Sequence, residues 1–280
     1  MKLADNRWVE SIWPHPSADD DKYTRGVVGV VAGSATYPGA AVLTTSAALY
    51  SGAGMVRYVG PRRAQDLVLQ HRPEVVAYDA ATAARHLPHA SAWVVGPGVA
   101  HDAGQDAAIM ATFAANAPLV VDAGALGLYV THQRESPGPL AASQVLLTPH
   151  ARELAQVLAA LGHAVTVAHI SADRLTHAQL VADLLHATVL LKGSQTVVVS
   201  PDHEPVVLPE APASLATAGT GDVLAGVAGM LLAAGLPAAD AGVAASWIHA
   251  QAARAAGSGG PSPALSVAAA LAGVISRLRG

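Results

Sequence analysis

Hydrophobic positions in this chain gather into short continuous runs, separated by longer stretches in which alanine and other small apolar residues mix with polar ones. The runs Gly26–Val31, Met55–Val59, Glu74–Tyr78, Ala92–Val95, Leu119–Val121, Val145–Leu147 and Thr188–Leu191 are nearly all apolar, the pattern of strands covered on both faces. Between them, Ala40–Ser51, Gly104–Asn116, Ala151–Leu161 and Ala172–His186 have helical length and alanine-rich composition. Such alternation predicts an α/β fold with a mainly parallel central sheet and helices on both faces. Thr196–Ser200 and Val206–Leu208, joined by the turn-rich Pro201–Pro205, predict an antiparallel hairpin. The chain then reads as helical over Asp222–Ala234, Ala238–Ala256 and Leu265–Arg279, with a flexible GSGGPSP break at 257–263.

The 280 residues allow one or two domains at roughly 150 residues each. No repeat and no compositional break divides them, so a single domain over 1–280 is expected, with residues 1–22 and their run Asp19, Asp20, Asp21 as a partly ordered arm. The longest apolar run, 223–236, is interrupted by glycine and preceded by Asp222, which fits a buried helix better than a membrane span. The opening stretch has scattered charges and no continuous apolar core of a secretion signal, so a soluble cytoplasmic protein is expected. The absence of cysteine excludes a disulfide scaffold, a cysteine nucleophile and a thiolate metal site. A net charge of −4 and a pI near 6.3 argue against nucleic acid as a partner.

Candidate chemistry sits at the strand ends. Ala32-Gly33-Ser34, Gly96-Pro97-Gly98, Asp122-Ala123-Gly124, Thr148-Pro149-His150 and Lys192-Gly193-Ser194 each follow a predicted strand. Any one of them is an ordinary way to end a strand. Five in series predict polar groups converging on one edge of the sheet, where open α/β folds bind ligands. The segment Ala218-Gly219-Thr220-Gly221-Asp222 opens a long apolar helix. Glycines permit close backbone approach, and the first-turn amides and helix dipole together make an anion site. Asp222 there has two readings: an N-cap or first-turn acid that stabilises the helix, or a base that takes a proton from an attacking hydroxyl. No G-x-x-x-x-G-K-[ST] occurs, nor a G-x-G-x-x-G between strand and helix, which disfavours P-loop and dinucleotide-binding folds. Only three of the sixteen basic residues are lysines, and one of them, Lys192, lies within a polar, glycine-containing strand end.

The glycine–aspartate helix start resembles the anion hole of ribokinase-like kinases. More narrowly, the chain resembles the ADP-dependent NAD(P)H-hydrate dehydratases on that fold. The matching stretches are Gly33-Ser34 with Tyr37-Pro38-Gly39-Ala40-Ala41, Ser51-Gly52-Ala53-Gly54, Gly96-Pro97-Gly98, Asp122-Ala123 with Ala125-Leu126, Leu147–Glu153, Leu191–Thr196 and Leu215-Ala216-Thr217 leading into Gly219–Gly226. They run in the family's order from residue 26 to 226. Two departures stand out: Ala218 replaces the first of two glycines before the anion-hole threonine, and Gly124 replaces a second acid after Asp122.

The resemblance implies a three-layer ribokinase-like fold and an ADP-driven (in some relatives ATP-driven) dehydration of the S form of hydrated NADH or NADPH, with magnesium accompanying the nucleotide. It implies Asp222 as the catalytic base, and Ala40, Gly98, His150 and Asp222 as contacts to the hydrate. Lys192, Gly193, Ser194, Gln195 and Thr196, with Gly219, Thr220 and Gly221, would bind the nucleotide; metal ligands are not legible. It further implies a homotetramer and, since a chain of this length has no room for the epimerase domain many relatives carry, a separate NAD(P)H-hydrate epimerase as functional partner. Away from the resemblance, Lys192 reads as a strand-end residue snorkelling to solvent and His150 as a helix-start residue. His249, in WIHAQAA, reads as a packed helix residue. The competing functions are a ribokinase-like kinase acting on hydroxyethylthiazole or a pyrimidine alcohol, and a non-catalytic nucleotide-binding protein.

Overall fold

The computed structural model describes residues 2–136, 140–201 and 203–279. The chain opens with β1 (Lys2–Leu3) and α1 (Asn6–Ile12). It then alternates through β2 (Val27–Val31), α2 (Pro38–Ser51), β3 (Met55–Gly60), α3 (Arg62–His71), β4 (Val76–Asp79), α4 (Ala80–Ala83), β5 (Ala92–Val95) and α5 (Ala103–Phe113). Next come β6 (Leu119–Val121), α6 (Ala125–Glu135), β7 (Val145–Leu147), α7 (Ala151–Ala160), α8 (Val167–Ala172), α9 (Arg174–Leu185) and β8 (Thr188–Leu191). The hairpin β9 (Val197–Ser200) and β10 (His203–Val207) leads into α10 (Thr220–Ala233), α11 (Ala238–Gly257) and α12 (Ala264–Ser276). Among the described residues no helix is long and apolar enough to cross a membrane.

Among the described residues ten strands form one sheet in the order β1-β10-β9-β8-β7-β6-β5-β2-β3-β4. Every pairing is parallel except those of β9, which runs antiparallel to both β8 and β10. Side chains alternate between two cores, as a pleated strand requires. On one face Val28, Val30, Val120, Leu146 and Leu190 pack beneath α1, α2, α10, α11 and α12. On the other, Val27, Val31, Val121, Leu147 and Leu191 pack beneath α5 to α9. Helices on both faces of a mainly parallel sheet make the three layers that the apolar runs predict.

α10 lies unusually close to α2 because residue 226 is glycine: a Cβ there would run into the Thr44 carbonyl and come within 2.8 Å of Ala47 Cβ. This close approach fixes where the first turn of α10 meets the sheet edge.

Several elements differ from the sequence expectation. Residues 2–13 are docked rather than arm-like: β1 adds a parallel strand to β10, and Ala4, Val9 and Trp13 enter the core. The aspartate run shapes a turn, with Asp20 accepting from the Ser17 amide and Asp21 from the amides of Tyr23 and Thr24. The helix expected over Ala172–His186 forms as α9 but starts at Arg174, because the Asp173 side chain accepts from the Thr176 amide (3.1 Å) as its N-cap, and Ala172 instead ends the short α8. In the hairpin, β10 begins at His203, inside the expected turn.

Candidate active site

Because β2, β5, β6, β7 and β8 run parallel, their carboxyl ends lie along one edge. The five polar strand ends of the sequence therefore meet there. Gly33 donates its amide to the Pro97 carbonyl (2.7 Å), tying the β2 and β5 ends together. Gly98 has φ +63, and a Cβ at that position would collide with Ala40 Cβ, so only glycine lets the two meet. His150 and Lys192 form an isolated parallel bridge beyond β7 and β8.

Lys192 is the electrostatic centre of this edge. Its ammonium donates to Asp122 Oδ1 (2.7 Å) and lies 3.8 Å from Glu153 Oε2. Asp122 is 2% exposed, and its Oδ1 also accepts from the Thr148 hydroxyl (2.8 Å). Ala123, directly after it, is held at φ +43, a left-handed conformation that a side chain adopts at a cost. Burial works against the lysine charge, but Asp122, Glu153 and Asp222 together outweigh it and hold the Lys192 pKa above its ordinary value. Lys192 therefore does not snorkel to solvent, as its reading as a bare strand end had it; the carboxylates draw it inward.

The turn before α10 faces this cation. Gly219 is the N-cap at φ +89, and no side chain caps the helix. The first-turn amides, which in any helix lack intrahelical acceptors, stay free of side-chain caps here. A Cβ on Gly221 would sit 3.5 Å from Lys192 Nζ, so ammonium, open amides and the positive end of the helix dipole converge. Three sources of positive potential in one place suit an anion such as a phosphoryl group.

Asp222 occupies the third position of α10, a first-turn acid and not the N-cap, which is Gly219, and no side-chain capping hydrogen bond forms there. Burial, and then the neighbouring Asp122 carboxylate, push its pKa up to about 7, against a smaller opposing pull from Lys192. A carboxyl group poised near neutrality is suited to exchanging a proton during a reaction.

A cavity of about 650 Å³ opens beside this cluster, lined among others by His150, Lys192, Gly193, Ser194, Thr196, Thr220 and Gly221. These predicted site residues are thus brought together. Gln195 is exposed, and neither it nor Gly219 nor Asp222 is among the residues lining the cavity. Ala40 and Gly98 lie against each other outside it, beside Tyr37. His150 caps α7: its Nδ1 accepts from the Glu153 amide (3.1 Å), while Glu153 Oε2 accepts from the His150 amide (2.8 Å). That capping box (His-x-x-Glu) was the available sequence signal for Glu153. The sequence placed Asp122 at a strand end but gave no sign of its partner, 70 residues away. Ser246 and His249 on α11, which also line the cavity, carried no signal beyond a packed helix.

Comparison with known proteins bears on this geometry. Residues 28–265 match the family model described as NAD(P)H-hydrate dehydratase. The ADP-dependent (S)-NAD(P)H-hydrate dehydratase of Neisseria meningitidis serogroup B is 38% identical over 245 residues, covering 84% of this chain and 78% of that one. The bifunctional NAD(P)H-hydrate repair enzyme of Mycobacterium leprae is 43% identical over 250 residues, 88% of this chain and 49% of its own length. The chain thus spans about half the length of the bifunctional relatives it matches. The crystal structure of the ADP/ATP-dependent NAD(P)H-hydrate dehydratase from Bacillus subtilis, co-crystallised with ATP and Mg2+, superposes with a TM-score of 0.85 at 26% identity, covering 99% of this chain and 98% of that one. By its sequence over most of its length, and by a fold shared with a member of known structure, this chain belongs to the NAD(P)H-hydrate dehydratase family.

Proposed function

We propose that this protein restores hydrated NADH and NADPH to the reduced dinucleotides, with ADP as the co-substrate. The observation that carries the reading is Asp222, in the uncapped first turn of α10 with its pKa raised to about 7, beside the open amide turn and the ion-paired Lys192. Hydroxide leaves a ring carbon poorly, whereas phosphate leaves well. Asp222 takes the proton of the hydrate hydroxyl as that oxygen attacks the terminal phosphorus of ADP. The phosphoanhydride bond breaks and AMP departs. The lone pair of the ring nitrogen then expels inorganic phosphate, and loss of the ring proton regenerates the double bond of the reduced nicotinamide. The Gly219–Gly221 turn and Lys192 hold the phosphoryl oxygens in place, since phosphoryl transfer depends mainly on positioning and charge stabilisation. Ala40 and Gly98, both small, leave room for the hydrated ring, and His150 contacts it from the α7 cap.

Among the described residues no group of three or more acidic, histidine or cysteine side chains is arranged to hold a metal. Magnesium keeps its waters and is held mainly by substrate phosphates with one or two carboxylates. Asp122 and Glu153, the carboxylates flanking Lys192, are the residues here that would hold it, and the ion would neutralise charge on the phosphates. A homotetramer in the cytoplasm, working alongside a separate epimerase, belongs to the same proposal. The test is near-ultraviolet absorbance of reduced nicotinamide after mixing the protein with chemically prepared hydrate. Recovery that requires ADP or ATP with magnesium is expected; no recovery with either nucleotide would refute the reading.

A further inference from the structure

Two polar side chains lining the cavity play no part in the chemistry above. Ser246 and His249 are three residues apart on α11, hence on one face of that helix. Both are more than nine-tenths buried, at 8% and 6% exposure. His249 keeps Nε2 shielded from solvent with no hydrogen-bond partner. The surrounding wall is apolar, contributed by Ala211, Pro212, Leu215 and Leu224. An unpaired polar atom in such a place costs stability that a leucine would not. Burial pushes the imidazole pKa down to about 4, against a smaller opposing effect of a hydrogen bond to the Thr220 backbone, so His249 is neutral and Nε2 is the ring nitrogen left open to a ligand. A neutral ring is a poor counter-charge for phosphate, and Lys192 with the Gly221 turn already serves that end of the cavity. What fits an apolar slot with a neutral imidazole and a hydroxyl is a flat heterocycle bearing donors and acceptors on its edge. A nucleoside diphosphate combines that group with an anionic tail, and a cavity of about 650 Å³ is of ligand size.

We propose that Ser246 and His249 bind the edge of the nucleotide base and so determine which nucleoside diphosphate the site accepts. The inference rests on the reading of this cavity as the diphosphate site. A polar group left unpaired by the wrong base is a strong source of discrimination.

The test is equilibrium binding of ADP, GDP and inorganic pyrophosphate, the last lacking a base, to the wild type and to Ser246→Ala, His249→Gln and His249→Leu, with thermal melting to confirm folding. His249→Leu should weaken ADP binding about tenfold, the equivalent of one good hydrogen bond. Ser246→Ala should weaken it several-fold. Both should narrow the ratio of ADP to GDP affinity, and His249→Gln should recover part of the loss. Pyrophosphate affinity should stay unchanged throughout. Should His249→Leu not fold, Ser246→Ala and His249→Gln decide by the same criteria. An unchanged ADP-to-GDP ratio, or a parallel loss of pyrophosphate, would overturn the base assignment while leaving intact the reading of the cavity as the diphosphate site. A wild type that binds pyrophosphate but shows no preference for any diphosphate also overturns it, and failure to bind any of the three overturns both.

Discussion

Asp222 is a carboxyl group that the fold keeps protonated up to about pH 7, well above the 3.8 of an ordinary aspartate. Linkage turns this into a stability statement. Between about pH 4 and pH 7 the folded chain retains a proton that the unfolded chain has released, so stability falls as pH rises through that window. Asparagine has no such proton to lose. Asp222→Asn should therefore melt higher than the wild type above pH 7, by at most roughly 4 kcal/mol, and should match it at pH 3; equal melting at pH 8 would show that the charge is not buried as described. Lys192 acts in the opposite sense. Lys192→Ala leaves the buried Asp122 without its cation, which should cost about 3–5 kcal/mol. It also removes the charge that lowers the Asp222 pKa, so the acidic limb of a kcat/KM–pH profile should move above 7. A pH titration of turnover checks this, and a limb that stays put or falls would contradict it. The residue types of this cluster were legible in the sequence, because glycine and aspartate punctuate the strand ends of an alanine-rich chain and lysine is scarce in it. Their pairing was not. Whether Asp222 caps its helix depends on which residue takes the positive φ, and that falls to Gly219.

The helix that carries Asp222 is placed by its contact with α2, and Gly226 makes that contact possible. Gly226→Ala should lower stability by about 1–3 kcal/mol through overpacking and should reduce kcat several-fold by shifting the anion turn. The control is Gly127, on α6, where an added Cβ meets nothing within 4 Å. Gly127→Ala should leave turnover unchanged and stabilise by about 0.5–1 kcal/mol; thermal melting and steady-state assays on both variants separate packing from helix propensity. At this scale the strands were the readable elements: wholly apolar runs between helices admit few interpretations, and Ala92–Val95, Leu119–Val121, Val145–Leu147 and Thr188–Leu191 fall where expected. Helices with mixed faces were harder. α6 places Tyr129 and Val130 in the core, yet it also carries His132 and Arg134, which blunt its apolar signature. β1 could not be read at all, because two exposed residues become a strand only when β10 is beside them.

At the scale of the molecule, one continuous sheet couples the two cores, and residues 2–13 seal the β10 edge of the sheet. Such an arrangement should unfold as one body. Trp8 and Trp13 report on one face, Trp93 on the other, so thermal transitions followed by tryptophan fluorescence and by far-ultraviolet circular dichroism should coincide; separated midpoints would indicate independently unfolding parts. The shared scaffold also explains why the site assembles from strand ends far apart in sequence: parallel strands deliver Gly98, Asp122, His150 and Lys192 to one edge, and α10 brings Asp222 across to them. In the proposed reaction Asp222 accepts the proton of the hydrate hydroxyl. The most direct test of that role is turnover of hydrated NADPH with ADP and magnesium by Asp222→Asn, with binding of both ligands measured in parallel. ADP and hydrate affinities should stay within a few-fold of the wild type while kcat falls by about 10²–10⁴, the usual contribution of a general base. A variant that keeps more than about a tenth of the wild-type kcat, well above the residual activity that loss of a general base leaves, would contradict it.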